Sequence, residues 1–323
     1  MKGSVLIGQS GGPTAVINAS LQGIIEEAFK NPLVTNVYGA LNGIDGILNH
    51  QIIDFKYETK ENLSLLKTTP SSILGSVRFK LEDYQKNDEI YKTIVSIFTK
   101  LNIKFFFYIG GNDSMDTCYK ISQYFKAIHF ECMVIGVPKT IDNDLVHTDH
   151  TPGYGSSIKY IATTIAEIYQ DIECYKKGKV TIVEIMGRDA GWLTAGTKLA
   201  SLSNNGPDLI YLPEVPFDIE TFLKKVKHIY DKKGHALIAI SEGIKDKEGK
   251  YILTYRLFNN NDDFGHLQLG GVGQVIAETI NRELKLPIRS IELNIPQRCA
   301  SHISSLTDIE EAYNCGKKAL QFA

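Results

Sequence analysis

The sequence lacks most of the features that would assign it a class at once. Its five cysteines, at positions 118, 132, 174, 299 and 315, make no Cys-x-x-Cys pair and no metal-ligand spacing. Such an odd, scattered set argues against a cysteine-built metal centre and reads as reduced thiols in a cytosolic protein. No stretch approaches the roughly 18 apolar residues that a membrane span requires. The apolar run near Met1 is too short for a signal peptide. A soluble, cytoplasmic protein with no membrane partner is expected. The formal net charge of −2 offers no electrostatic case for nucleic acid. There is no repeat and no low-complexity tract. Nor is there a Gly-x-x-x-x-Gly-Lys-[Ser/Thr] loop, or a Gly-x-Gly-x-x-Gly after the first strand-like run. Phosphate chemistry, if present, must run on another architecture.

What is present is an ordinary globular composition over 323 residues, 43% hydrophobic and 22% charged. That is enough for a large core and for two domains. Strand-like and helix-like segments alternate, the pattern of a parallel α/β sheet. Strands are predicted at 4–7, 34–38, 103–109, 132–137, 180–185, 209–212, 236–240 and 289–293. Helices are predicted at 16–29, 84–100, 158–175, 219–232, 272–284 and 307–322. Pro13 is expected to open the first helix, since it has no amide hydrogen to satisfy there. Gly43 and Gly46 are expected to mark a tight loop, and Thr307 or Asp308 to cap the last helix. Residues 244–270 read as an irregular excursion or lid. The chain stops on a helix where a doubly wound sheet usually adds a strand, which leaves room for a missing C-terminal piece.

Two loops concentrate the chemistry. The run 103–109 empties into Gly110-Gly111-Asn112-Asp113-Ser114, and the run 132–137 into Pro138-Lys139-Thr140-Ile141-Asp142-Asn143-Asp144. Side by side at the carboxyl edge of a parallel sheet, they would lie where open α/β sheets bind ligands. Phosphoryl transfer needs a donor cradle, a metal, a base and cations around the moving charge. Asn112 and Asp113 are candidate oxygen ligands for Mg²⁺. Asp142 or Asp144 can take a hydroxyl proton. Arg78, Lys139, Lys179, Arg188, Arg289 and Arg298 are cations at or near loop positions. Taken alone, Asp142-Asn143-Asp144 could equally be an Asx-turn. Gly8-Gln9-Ser10-Gly11-Gly12 has three readings: a hydrolase nucleophile elbow on Ser10, a turn whose amides cradle a phosphate, or a purely structural turn.

Ser-Gly-Gly (10–12), Gly-Ser-Val-Arg (75–78), Gly-Gly-Asn-Asp-Ser (110–114), Pro-Lys-Thr-Ile-Asp-Asn-Asp (138–144), Met-Gly-Arg (186–188) and Gln-Arg (297–298) follow one another over nearly the whole length. In that order and spacing they closely resemble the 6-phosphofructokinase family. The resemblance implies two three-layer α/β domains with mostly parallel sheets and an active site in the cleft between them. A donor-binding domain is expected over 1–153, with 298–323 returning to it, and a sugar-phosphate-binding domain over 154–297.

The resemblance also implies roles. Asp142 matches the general base for the 1-hydroxyl of fructose 6-phosphate, with Lys139, Thr140 and Asp113 completing the catalytic set. Gly12, Arg78, Asp113 and Lys139 match donor contacts. Thr140, Asp142, Asp144, Lys179, Met186, Gly187, Arg188, Glu242, Arg289 and Arg298 match contacts to the sugar phosphate. Mg²⁺ is expected on Asn112 and Asp113, although Asn112 stands where the family commonly has an aspartate. Ile295 stands where the family usually has His or Tyr. Lys179 and Arg289 match positions that reach across a subunit boundary, implying a homodimer or homotetramer with shared active sites.

Two positions speak to the donor. ATP-using members of the family have glycines where Asp113 and Lys139 stand here, and both replacements are those of the pyrophosphate-dependent branch. A carboxylate at a helix N-terminus takes up the space and field that a nucleotide α-phosphate would use. A lysine beside the base supplies a point charge to a phosphoryl group. The expected reaction is reversible, Mg²⁺-dependent transfer from pyrophosphate to fructose 6-phosphate, giving fructose 1,6-bisphosphate in glycolysis. The alternatives are the ATP-dependent 6-phosphofructokinase, a non-catalytic regulatory homologue, and the serine hydrolase suggested by the elbow.

Overall fold

The computed structural model describes residues 1–255 and 270–323. They form two compact units: Met1–Ile141 with Leu145–Ser156 and Arg298–Ala323, and Asp142–Asp144 with Ser157–Gln297. Most of the lid expected at 244–270 lies outside the described residues.

The first unit is built on a five-stranded sheet of order β3-β2-β1-β4-β5. The strands are β1 (Gly3–Gln9), β2 (Val34–Ala40), β3 (Ile52–Asp54), β4 (Ile103–Gly110) and β5 (Met133–Pro138). All pairings are parallel except β2 with the edge strand β3. β4 is apolar without alternation because both faces are covered. Phe105, Phe107 and Ile109 pack with the Ile17–Ala28 helix and Leu320, while Ile103, Phe106 and Tyr108 pack with the Glu89–Lys100 and Asn112–Ala127 helices. Burial of each such side chain contributes about 2 kcal/mol. From β1 the chain passes to β2 on one side and later returns to β4 on the other. That reversal sets the loops after β1 and β4 next to each other at the carboxyl edge.

The second unit has four parallel strands of order β7-β8-β6-β9. They are β6 (Val180–Ile185), β7 (Leu209–Tyr211), β8 (Ala236–Ser241) and β9 (Ile288–Glu292). Val180, Ile182, Ile238 and Ile240 pack against Phe222 and Val226 of the Ile219–Lys233 helix and Ile276 and Ile280 of the Val272–Leu284 helix. Here β6 lies between β8 and β9, so the loops after these three strands share one edge.

Several local expectations are corrected. β1 runs on through Gly8 and Gln9, and the first helix starts only at Ile17, so Pro13 does not open it. The supposed tight loop at Gly43 and Gly46 is the Gly43–Leu48 helix, and the turn is made just before it, where Asn42 adopts φ 58°. The helix within 84–100 spans Glu89–Lys100 and is amphipathic, burying Tyr91, Ile94, Ile97 and Phe98. The helix expected from 158 begins at Tyr154, and Pro296–Cys299 forms a helical turn after β9. The last helix, Leu306–Gln321, is capped by Ser305, whose hydroxyl accepts from the Asp308 amide. Asp308 instead ties down a distant loop. Its buried carboxylate accepts the N–H groups of Gly153 at 2.9 Å and Ser156 at 2.8 Å.

Candidate active site

In the first unit the site begins at the turn after β1. Gly11 has φ +75°, a region L side chains rarely enter. Its N–H donates to the Val77 carbonyl at 3.1 Å, the Ser10 hydroxyl donates to the same carbonyl at 3.3 Å, and the Ser76 hydroxyl donates to the Gly11 carbonyl. The segment that carries Arg78 is thereby fastened along the turn. Lys139, 3% exposed at the end of β5, donates from Nζ to the Gly12 carbonyl at 2.6 Å. A Cβ on Gly12 would stand 3.3 Å from the Arg298 guanidinium. Burial, with the like charge of Arg78 acting against a contribution from Cys299, lowers the Arg298 pKa. Arg78, Lys139 and Arg298 thus gather at one glycine turn, a cationic cradle of bare backbone suited to an anion.

At the neighbouring strand end Gly111 precedes the Asn112–Ala127 helix, and both Asn112 and Asp113 are exposed on its first turn. After β5, Thr140 pairs with Gly153 and donates its N–H to the Pro152 carbonyl at 3.2 Å. These contacts hold the loop that leads to Asp142.

In the second unit β6 empties into Met186-Gly187-Arg188. The Gly187 N–H donates to Glu242 Oε1 at 3.2 Å, and the Met186 N–H to Gln297 Oε1 at 3.1 Å. The Ser241 hydroxyl donates to the Gly187 carbonyl. Neighbouring strand ends therefore fix the loop from both sides. Burial raises the Glu242 pKa, opposed by the Gly187 amide and reinforced by the charge of Asp142. Glu184, 3% exposed within β6, accepts the N–H groups of Gly271 at 2.9 Å and Gly273 at 2.7 Å. Burial pushes its pKa up to about 7, with the Gly273 amide opposing and Glu292 adding.

The family model described as phosphofructokinase matches residues 4–323. The chain belongs to the phosphofructokinase family. It is 40% identical over 319 residues to a pyrophosphate–fructose 6-phosphate 1-phosphotransferase from Halomonas elongata, covering 98% of this chain and 75% of that protein. A sulfofructose kinase from Alkalicoccus urumqiensis is 32% identical over 98% of this chain and 79% of its own. Among solved structures, a pyrophosphate-dependent phosphofructokinase from Nitrosospira multiformis superposes with a TM-score of 0.87 at 38% identity. That alignment covers 99% of this chain and 76% of the Nitrosospira chain.

Within this phosphofructokinase-family chain, Gly12, Arg78, Lys139 and Arg298 come together in the first unit. Arg298, matched by resemblance to a sugar-phosphate contact, belongs to the first unit and stands at Gly12. Met186, Gly187 and Glu242 come together in the second unit, and the charge of Asp142 acts on Glu242. Arg188 follows directly, half-buried, while Asp144 is exposed. Lys179 and Arg289 are not brought to this loop. Lys179 precedes β6 and Arg289 pairs with Thr181 near the start of β9, at the opposite end of the sheet. Arg289 instead meets Asp171 at 3.3 Å on the surface.

The nucleophile elbow fails on geometry. An elbow needs a sharp strand-to-helix turn at the serine, whereas here the helix begins seven residues after Ser10, whose buried hydroxyl bonds the Val77 carbonyl. Sequence reasoning gave no role to Gln9, Asn18, Glu184 or Gln297, although Gln297 stands in the Gln-Arg motif. Each is a polar residue on a strand or helix that is buried to a few per cent exposure or less. Polarity at an inward-facing position was the available signal.

Proposed function

We propose that the chain transfers a phosphoryl group from pyrophosphate to the 1-hydroxyl of fructose 6-phosphate, reversibly and with Mg²⁺, in cytoplasmic glycolysis. The observation that carries this reading is Lys139, buried and bonded to the Gly12 carbonyl, with Arg78 and Arg298 at the same turn. Three cations on a bare-backbone turn form an anion site suited to a diphosphate. Asp113 at the neighbouring helix start repels a further phosphate there. The pyrophosphate-dependent names of the relatives support the same donor.

In this reading the first unit binds the donor and the second the sugar phosphate. Met186, Gly187, Arg188 and Glu242 hold the sugar, with Asp144 as a further contact, while Arg298 serves the turn at Gly12. Asp142 accepts the proton of the 1-hydroxyl as that oxygen attacks the terminal phosphorus of pyrophosphate. The bridging P–O bond breaks and inorganic phosphate leaves. Thr140 contacts the moving group, and Lys139 and Arg78 spread its charge. The hydroxyl attacks and orthophosphate leaves, and this exchange of a phosphoanhydride for a phosphate ester runs in either direction.

Mg²⁺ fits this arrangement as a partner of the substrate. No group of three or more His, Cys, Asp or Glu that could hold a metal occurs among the described residues. Mg²⁺ needs only one or two protein oxygens when phosphates and water supply the rest. Asn112 and Asp113 would provide those oxygens, and the bound ion would offset the charge of pyrophosphate. Lys179 and Arg289, at the far end of their sheet, serve the 6-phosphate of a neighbouring copy, so a homodimer or homotetramer is the working form. Incubation of fructose 1,6-bisphosphate with inorganic phosphate and Mg²⁺, followed by ³¹P NMR, tests the reaction. Pyrophosphate and fructose 6-phosphate should accumulate; a spectrum that stays unchanged with folded enzyme overturns the reading.

A further inference from the structure

The segment 69–78 has no regular secondary structure, yet it holds Arg78 against the glycine turn. What orders it are two buried amides, each 0% exposed: Gln9, the last residue of β1, and Asn18, in the first turn of the following helix. Asn18 Nδ2 donates to the Thr69 and Ser71 carbonyls, both at 2.9 Å, and its Oδ1 accepts the Ile73 N–H at 3.0 Å. Gln9 Nε2 donates to Asn18 Oδ1 at 3.0 Å and to the Ile17 carbonyl at 3.5 Å. Gln9 Oε1 accepts the Leu74 N–H at 3.0 Å and the Ser72 hydroxyl at 2.7 Å.

An amide side chain has two donors and two acceptor lone pairs. Here both amides use all of them, and both side chains are fully buried beneath a strap whose outer residues meet solvent. A buried polar pair left half satisfied destabilises a core, and an apolar pair would fill the same space without desolvation. What an apolar pair cannot do is fix the backbone of an irregular loop. Five of the contacts end on residues 69, 71, 72, 73 and 74, and the next residues are bonded to Ser10 and Gly11.

We infer that Gln9 and Asn18 are positioning residues for the phosphate donor: a closed amide clamp that fixes the 69–78 strap and so sets Arg78 at the Gly11–Gly12 turn. The inference rests on the donor reading of that turn. The clamp touches no substrate, and it acts on the donor side alone.

Steady-state kinetics on Asn18→Leu and Gln9→Met, with each substrate varied in turn, tests it. The KM for pyrophosphate should rise about tenfold or more, while the KM for fructose 6-phosphate stays within about twofold. In an Arg78→Ala background, Asn18→Leu should add less than about twofold, because its effect passes through Arg78. Amide exchange over 69–78 should quicken about tenfold in the full-length variants, a readout that needs no turnover. Should Asn18→Leu fail to fold, Ser72→Ala removes one hydroxyl of the clamp and should give the same donor-side signature at about threefold. Equal rises in both KM values, full additivity with Arg78→Ala, or unchanged exchange over 69–78 would each overturn the clamp. A wild-type enzyme that turns over ATP and not pyrophosphate sinks the donor assignment instead, and the clamp is then read in the same way with ATP varied.

Discussion

The glycine turn of the first unit and the Met186–Arg188 loop of the second occupy equivalent places in their sheets and are built from opposite charges. Each follows a strand with parallel neighbours on both sides, β1 between β2 and β4, β6 between β8 and β9. Around the first stand Lys139, Arg78 and Arg298. Around the second, Glu242 and Gln297 hold the backbone amides, and Glu184 anchors the helix that follows Gly271. The difference shows that the strand-end position supplies only a place. On the proposed assignment the ligand of the first turn is itself the counter-ion, and there cations crowd bare backbone. On the same assignment the second loop orients a sugar, and there carboxylates fix amides, at the cost of a raised pKa at Glu184 and Glu242.

Substitutions can break this comparison, beginning with the largest effect. Asp142→Ser should lower kcat by about a thousandfold, the range of a lost general base, with the KM for fructose 6-phosphate little changed in initial-rate assays. A near-normal rate would remove Asp142 from the reaction. Lys139→Ala deletes one charge from the cationic turn. It should cut kcat/KM for pyrophosphate by about 10- to 100-fold, as for a lost charge-assisted hydrogen bond. A matching loss in fructose 6-phosphate affinity would mean the turn is not specific to the donor.

Asp308→Ala leaves the Gly153 and Ser156 amides buried without their acceptor. At about 2 kcal/mol for each orphaned donor, the loss is about 4 kcal/mol, read from urea unfolding midpoints. An unchanged midpoint would show that the tie to the Thr140 loop is incidental.

Glu184 gives an effect of definite sign. Its folded pKa, about 7, lies above the ordinary 4.5. The stability carried by its protonated form is therefore full below pH 4.5 and is lost as pH rises toward 7. The change is at most about 3 kcal/mol. Glu184→Gln should flatten that part of the pH–stability curve; a variant with the wild-type slope would assign the titration elsewhere.

Much of the fold was legible because parallel strands covered on both faces are uninterrupted apolar runs. β6 at 180–185 and the 272–284 helix fall where the pattern puts them. β3 escaped because three residues on an antiparallel edge carry no periodicity, and the short helices at Trp192–Gly196 and Thr197–Ser203 because one or two turns are too few to show a helical period. The motifs at strand ends were visible because loops there must carry special residues. Gln9 and Asn18 were not, since a buried amide has the same letter as an exposed one, and only the path of residues 69–78 gives it a role. Asp308 read as a cap because it lies near a helix start. Its real partners are more than 150 positions away, at Gly153 and Ser156.

The central claim is the donor, and one comparison of initial rates addresses it: folded enzyme with fructose 6-phosphate and Mg²⁺, given either pyrophosphate or ATP. The account predicts fructose 1,6-bisphosphate from pyrophosphate and little from ATP, with Asp113→Gly combined with Lys139→Gly moving the preference toward ATP. Turnover with ATP equal to or better than that with pyrophosphate in the unmodified protein would contradict it.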